Sequence, residues 1–503
     1  MTRSRVVVTG TPVAEVDRRL FGAFVEHLGR SIHTGVHEPG HPAADEHGFR
    51  RDVVALVREL GVSTVRYPGG NFVSGYRWED GVGPVEDRPR RLDLAWHSTE
   101  TNEVGLHEFA RWLDTVDGRL MYALNLGTRG VAEALDVMEY MTVPGGTTLS
   151  DLRVAHGRAE PFAVDMWCLG NEMDGPWQLG HRSAEEYGRL AATVARAMHQ
   201  LDPTARLVVC GSSGHDMPTF GSWERTVLGH TYDEVDAISC HAYYSARDGD
   251  LQSFVASGDD LVRFVRTVAE IADSVRDERG SDRTMAISFD EWNIWDVERY
   301  EQEDKRTAID DWPVAPRLLE DVYTVLDAVT LGGLLVGLLT VCDRVRSASL
   351  AQLVNVIAPI MTEPGGPSWR QTTFHPFAIT SRLARGTALR VEVEAPSVTT
   401  RRQGEVPLVA AAATRDDAAG RAAVFLVNRD LDRAQQVDVR LDGVPATEVV
   451  EAWSLHDEDL SAVNSRDRPD RVVPAPASVD LSSGVLTLDL APASWTAVSL
   501  ATT

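Results

Sequence analysis

Ala163-Val164-Asp165-Met166-Trp167-Cys168-Leu169-Gly170-Asn171-Glu172-Met173-Asp174-Gly175-Pro176-Trp177-Gln178 is the stretch that decides the fold. Its apolar run, Val164 to Leu169, reads as a buried strand that enters a Gly-Asn-Glu turn, so a carboxyl group stands at a strand end with an amide beside it and an indole within reach. Met285-Ala286-Ile287-Ser288-Phe289-Asp290-Glu291-Trp292-Asn293 repeats the arrangement. Outward from these two, short apolar strands alternate with longer helical patterns from about Leu20 to about Arg385. The candidate strands are Gly22–Glu26, Thr64–Tyr67, Leu120–Asn125, Val164–Leu169, Leu207–Gly211, Ala237–His241, Ala286–Asp290 and Leu334–Thr340. Amphipathic stretches such as Arg50–Leu60, Ala184–Leu201 and Leu261–Arg276 lie between them. Strands with intervening helices in this number argue for a parallel (β/α)8 TIM barrel over an open sheet. In that frame Glu172 ends the fourth strand and Glu291 the seventh, both on the C-terminal rim.

After about Ala384 the pattern changes. Val391–Glu394, Ala423–Val427, Gln436–Leu441 and Val485–Leu490 alternate or run as strands, punctuated by Asp442-Gly443 and Ser483-Gly484, with no long helical pattern between them. An antiparallel β-sandwich of jelly-roll type is expected. Arg5–Val8 also reads as a strand and is assigned to this sandwich. The expected organisation is an N-terminal strand within residues 1–16, a catalytic barrel over 17–384 and the sandwich over 385–503. Asn464–Pro476, rich in Arg, Asp and Pro, reads as a surface loop.

The chain of 503 residues carries a formal net charge of -26. Such a balance repels nucleic acid and anionic membranes and suits a neutral ligand. Cys168, Cys210, Cys240 and Cys342 show no metal-type spacing and read as buried free thiols in a reducing compartment. Val6-Val7-Val8 is too short for the apolar part of a signal peptide, and the longest apolar run, Ala328–Val341, holds three glycines and falls short of the ~20 residues of a membrane span. That run is expected to pass from a buried helix into a strand, and the location to be cytoplasmic.

Two strand-end glutamates bordered by Asn and Trp are the groups that glycosidic-bond hydrolysis uses: an acid, a second carboxylate, an amide for hydroxyls and aromatic faces for rings. Further rim candidates are Glu26-His27, Arg66 to Asn71, His241 to Tyr244, and Gln352. Taken singly each is equally an ion pair, a turn or a satisfied core histidine; convergence from many strands is what suits a polyhydroxylated ligand. Gly69-Gly70 reads as a tight turn, since no phosphate-loop frame surrounds it. His27, His33, His37, His41 and His47 match no metal-ligand frame, and Ser212-Ser213-Gly214-His215 is not a nucleophile elbow. No metal and no cofactor are expected.

Longer segments resemble glycoside hydrolase family 51, the α-L-arabinofuranosidases of the clan with catalytic residues on strands four and seven. They are Phe24–Arg30, Arg66–Tyr76, Arg91–Trp96, Asn125–Gly130, the two glutamate segments and Leu350–Pro359. The resemblance implies a retaining, exo-acting α-L-arabinofuranosidase, with Glu172 as acid/base and Glu291 as nucleophile. It implies that Glu26, Arg66, Asn71, Asn171, Tyr243 and Gln352 bind the arabinofuranose, with Trp96 and Trp295 flanking. It also implies arabinose-containing oligosaccharides as substrates and a homo-hexamer. The chain departs from the family pattern at Val341–Val345, read here as the end of strand eight, and in the segment Asp296–Trp312, read as a loop on the leaving-group side. The alternatives are a β-xylosidase or endoglucanase on the same barrel, or a non-catalytic carbohydrate-binding protein.

Overall fold

A computed structural model describes residues 3–246 and 249–503. Eight parallel strands close into a barrel: Gly22–Phe24, Thr64–Tyr67, Arg119–Ala123, Val164–Leu169, Leu207–Val209, Ala237–Tyr244, Ala286–Ile294 and Val345–Ala351. Seven of them overlap the expected strands. The eighth does not. Leu334–Thr340 belongs to a helix, Val325–Thr340, and the closing strand follows it. Val341–Val345 therefore leads into the eighth strand, which Val345 opens, rather than ending it.

The physical reason is burial on every side. The helix lies between the barrel and the sandwich and is buried from Val325 to Leu339 except at Asp327, so it shows no polar stripe by which to recognise it. Its start is nonetheless written in the chain, because the Thr324 hydroxyl accepts from the Asp327 amide while the Asp327 carboxylate accepts from that of Thr324. Its glycines allow close approach. A Cβ at Gly332 would stand 2.2 Å from Cδ1 of Trp495 in the sandwich, and one at Gly258 of the neighbouring helix Ser257–Arg279 would stand 2.5 Å from the Gly333 carbonyl oxygen.

The remaining β structure is mainly one ten-stranded sheet, into which Arg3–Glu15 is inserted near the middle. Val6 pairs antiparallel with Val393 and parallel with Val439, so Arg5–Val8 lies in this sheet and the sheet is not the purely antiparallel one expected. Ala446–Leu455 near one end of the sheet packs on Val479–Ser482 at the other, so the sheet folds over its own core of Val6, Val8, Val424, Leu426, Val437, Val439, Leu486 and Val498. Asn464–Pro476 is largely exposed and ends in a short edge strand, Ala475–Pro476. All four cysteines are free and buried. Among the described residues no helix is long and apolar enough to cross a membrane.

Candidate active site

Every rim residue singled out in the sequence lies at the C-terminal mouth of the barrel or in a loop that opens from it. Glu172 stands three residues beyond the fourth strand at φ 43°, a left-handed conformation that turns its side chain back over the barrel. Its Oε1 meets His241 Nδ1 at 2.9 Å, and its Oε2 accepts from Trp177 Nε1 at 2.7 Å. Glu291 lies within the seventh strand, which continues to Ile294. Pairing with the sixth strand slips between Ser288 and Glu291, so one extra residue is taken up there. Such a bulge re-aims side chains, and both Asp290 and Glu291 face the barrel interior in consequence. Glu291 Oε1 accepts from Arg66 Nη1 at 2.7 Å and Oε2 from the Tyr243 hydroxyl at 2.8 Å.

Arg66, from the second strand, is 1% exposed; its other Nη donates to Asn171 Oδ1 at 2.7 Å, and its guanidinium lies over the Phe24 ring. Asn171 Nδ2 then donates to Asn71 Oδ1 at 3.3 Å. Glu26 forms a second centre. Its Oε1 accepts from the Phe72 amide at 2.8 Å and from Trp96 Nε1 at 2.9 Å, and its Oε2 from Gln352 Nε2 at 3.2 Å. Trp295 packs edge-on against Tyr243 with centroids 5.1 Å apart. Gly69 and Gly70 do more than turn the chain: a Cβ on Gly70 would stand 3.0 Å from Glu291 Oε1, and one on Gly69 2.9 Å from Glu26 Cγ.

Two further residues, His241 and Asp290, complete the network. His241 Nε2 meets Asp290 Oδ1 at 3.0 Å, so this histidine links Asp290 to Glu172 and also stands 3.6 Å from Glu291 Oε2. The sequence offered His241 as a rim residue but could not separate it from a satisfied core histidine. Asp290 carried no signal of its own, because its role depends on the bulge. One expected match fails as well. Trp292 is fully buried and faces Phe377 of the helix Phe374–Leu383, away from the mouth, and Asn293 ties the end of the eighth strand to the loop after it by donating to the Ala351 and Ile357 carbonyls. Only the indole beside Glu172 repeats the motif at the site.

The electrostatics follow from burial among charges. Burial alone would lower His241, but the carboxylates of Glu291, Asp290 and Glu172 outweigh it and hold the imidazole well above its ordinary range. Glu291 is raised by burial and by Glu172, against the pull of His241 and Arg66. Glu26 is pushed up to about 8 by burial, despite its hydrogen bonds. Donor atoms of Glu172, His241 and Glu291 lie within 4.8 Å of one another, the one metal-type cluster among the described residues. Each is already engaged: Trp177, Tyr243 and Arg66 hold the carboxylates, and Arg66 and His241 supply the positive charge. The five histidines of the first loop do not meet at one point: His27 and His33 both reach Glu100, while His37 and His41 bond the carbonyls of His47 and Gly366. Ser213 bonds Asp174 and His215 pairs with Asp260, so no serine–histidine dyad forms there. Two carboxyls this close, one tied to a histidine and the other to an arginine and a tyrosine, can serve as an acid/base and a nucleophile.

Residues 56–254 match the family model described as alpha-L-arabinofuranosidase 1 domain, and 290–494 that of the alpha-L-arabinofuranosidase C-terminal domain. The chain is 55% identical over 99% of its length to an exo-alpha-(1->6)-L-arabinofuranosidase of Bifidobacterium longum, covering 97% of that protein. It is 56% identical over 97% of its length to an intracellular exo-alpha-(1->5)-L-arabinofuranosidase of Streptomyces lividans, covering 74% of it. Among solved structures, AbfB, a family 51 alpha-L-arabinofuranosidase from Bifidobacterium longum, superposes with a TM-score of 0.96 at 47% identity, over 99% of this chain and 100% of that one.

Proposed function

This chain belongs to the α-L-arabinofuranosidases of glycoside hydrolase family 51, and from that membership and the geometry of its site we infer how it works. It is a glycoside hydrolase that releases terminal arabinofuranose from arabinose-containing oligosaccharides. These relatives do not favour the pyranosidase and binding-protein alternatives. Two relatives of nearly equal identity are named for different linkages, so overall similarity does not fix the linkage this chain cleaves.

The reaction we propose is double displacement with retention. What supports it is proximity: one carboxyl oxygen of Glu172 and one of Glu291 lie within 4.8 Å, closer to the spacing of about 5–5.5 Å in retaining pairs than to the wider one that admits water in inverting pairs. A Glu291 oxygen attacks the anomeric carbon while Glu172 passes its proton to the departing glycosidic oxygen. The bond to the leaving group breaks as the ester to Glu291 forms. Glu172 then takes a proton from water, whose oxygen attacks the same carbon and frees Glu291.

Charge is conserved within the site through these steps. Arg66 and His241 bring two positive charges, and Asp290, Glu291 and Glu172 three carboxyls. With its proton on Glu172 the group is neutral. In the glycosyl-enzyme Glu291 has lost its charge to the ester and Glu172 has gained one, so the group is neutral again. No uncompensated charge appears in a buried pocket, where it would cost most. In this reading Asn171 grips the sugar 2-hydroxyl, and Glu26, Arg66, Asn71, Tyr243 and Gln352 shape the glycone pocket between Trp96 and Trp295.

We place the enzyme inside the cell, as the names of its Streptomyces and Bacillus subtilis relatives support. Hexameric assembly is the family's pattern; light scattering after size exclusion would show six times the 55.1 kDa chain mass. The function itself is tested by hydrolysis of 4-nitrophenyl α-L-arabinofuranoside beside the β-D-xylopyranoside and β-D-glucopyranoside. Strong preference for the furanoside is expected, and preference for a pyranoside would overturn the reading.

A further inference from the structure

The segment Asp296–Trp312, where the chain departs from the family pattern, does not lie on the leaving-group side alone. It crosses the mouth of the barrel from the seventh strand to the loop after the second. His97 stacks on Trp312 at 3.7 Å, the Thr99 amide donates to the Pro313 carbonyl at 2.9 Å, and Asp304 accepts from the Leu319 amide at 2.9 Å. Between the seventh strand and the Asp304 anchor, Tyr300 is half-buried and opens a single wide turn, Tyr300–Asp304. Its ring meets Trp96 edge-on at 6.0 Å and Trp295 at 5.7 Å with a 53° tilt, and Trp295 in turn meets Tyr243. The outer rings of this arc reach the carboxyls beneath, Trp96 through its bond to Glu26 and Tyr243 through its bond to Glu291.

We propose that Tyr300 is a specificity-determining residue: its ring closes the gap between Trp96 and Trp295 and so sizes the glycone pocket for a five-membered sugar ring. The proposal rests on the arabinofuranosidase reading of this site. Trp96 and Trp295 stand on loops from different strands, and neither alone bounds the space above Glu26 and Glu291. Tyr300 touches both, which makes the wall continuous. A six-membered pentose glycone has the same atoms with one carbon moved from the exocyclic arm into the ring, and a pocket shaped for one outline rejects a carbon misplaced in this way by about 10–200-fold. The bridging is done by the aromatic face, so the phenol hydroxyl is dispensable. Its proton stays on over the working range, since burial and neighbouring carboxylates push it up to about 12.

The test is the ratio of kcat/KM for 4-nitrophenyl α-L-arabinofuranoside to that for the β-D-xylopyranoside, measured on wild type, Tyr300→Ala and Tyr300→Phe. Tyr300→Ala is expected to lower the ratio by about tenfold or more, mainly through a higher KM on the furanoside, with pyranoside turnover kept or increased. Tyr300→Phe is expected to stay within about threefold of wild type, and keeps the comparison readable if removing the ring loosens the segment. An unchanged ratio in Tyr300→Ala, with both substrates falling together, would overturn the proposal, because a merely structural role lowers both alike. So would a Phe variant that loses selectivity as fully as the Ala variant. Wild type that prefers the pyranoside would sink the reading of function first and this proposal with it, a result visible before any variant is compared.

Discussion

Replacing Arg66 with Met tests the charge balance of the site most severely. The guanidinium is buried, donates at 2.7 Å to both Glu291 and Asn171, and stands 3.7 Å from Asp290. Met keeps much of the volume and the contact with Phe24 but removes two charge-assisted hydrogen bonds and one of two cations. Leaving a buried carboxylate without its partner costs about 3–5 kcal/mol. The protein can avoid part of that cost by protonating Glu291, which burial already raises above the ordinary carboxylate range and which Arg66 pulls down. A carboxyl raised in the folded state gives stability that is fully present below its unfolded value, near 4.5 here, and lost as pH climbs through the folded value. The deficit of Arg66→Met relative to wild type is therefore small near pH 5 and grows toward about 3–5 kcal/mol by pH 8. Thermal midpoints of both proteins across that range measure it. The kcat/KM of the variant on the nitrophenyl arabinofuranoside should fall by about a hundredfold or more, with its acid limb moved to higher pH, because the nucleophile must be ionised. A deficit that is constant with pH, or that narrows as pH rises, would refute the reasoning.

Glu172→Ala removes the proton donor and should cost substrates with sugar leaving groups about 10²–10⁴ in rate, while an activated nitrophenyl leaving group loses far less in the first step; equal losses on both would count against the acid role. Glu26 is raised to about 8, so it is neutral through the working range and gains a charge above it. KM should rise above that pH in wild type and stay flat in Glu26→Gln, as steady-state profiles would show; the same rise in both would assign it to another group. Gly332→Ala would drive a Cβ to 2.2 Å from Trp495 and should lower stability by about 1–3 kcal/mol while leaving kcat of the folded enzyme unchanged. A shift of neither quantity would mean that helix and sandwich separate freely.

What the chain disclosed by itself depended on range. The strands that carry the two glutamates and a sandwich of alternating strands are local or two-residue-periodic patterns, and they read directly, although the second glutamate lies within its strand rather than at its end. Leu334–Thr340 misled because a segment buried on all sides shows no period, although the cap at Thr324 marked a helix. Trp292 misled for a different reason: its place beside Glu291 is sequential, but a strand alternates its faces, and this indole fell on the outer one. His241 and Asp290 matter through a bulge and through partners 49 and 69 positions distant, and no spacing rule reports those. Tyr300 lies in a segment that only the closed barrel brings beside Trp96.

The central claim is that Glu291 bonds to the sugar and Glu172 handles the proton. Glu291→Ala with added azide tests it directly, with the configuration of the glycosyl azide read by nuclear magnetic resonance. The account predicts rescue and a product of inverted configuration, because azide would replace the missing carboxylate in a single displacement. A product of retained configuration would show that an enzyme nucleophile still acts, and that it is not Glu291.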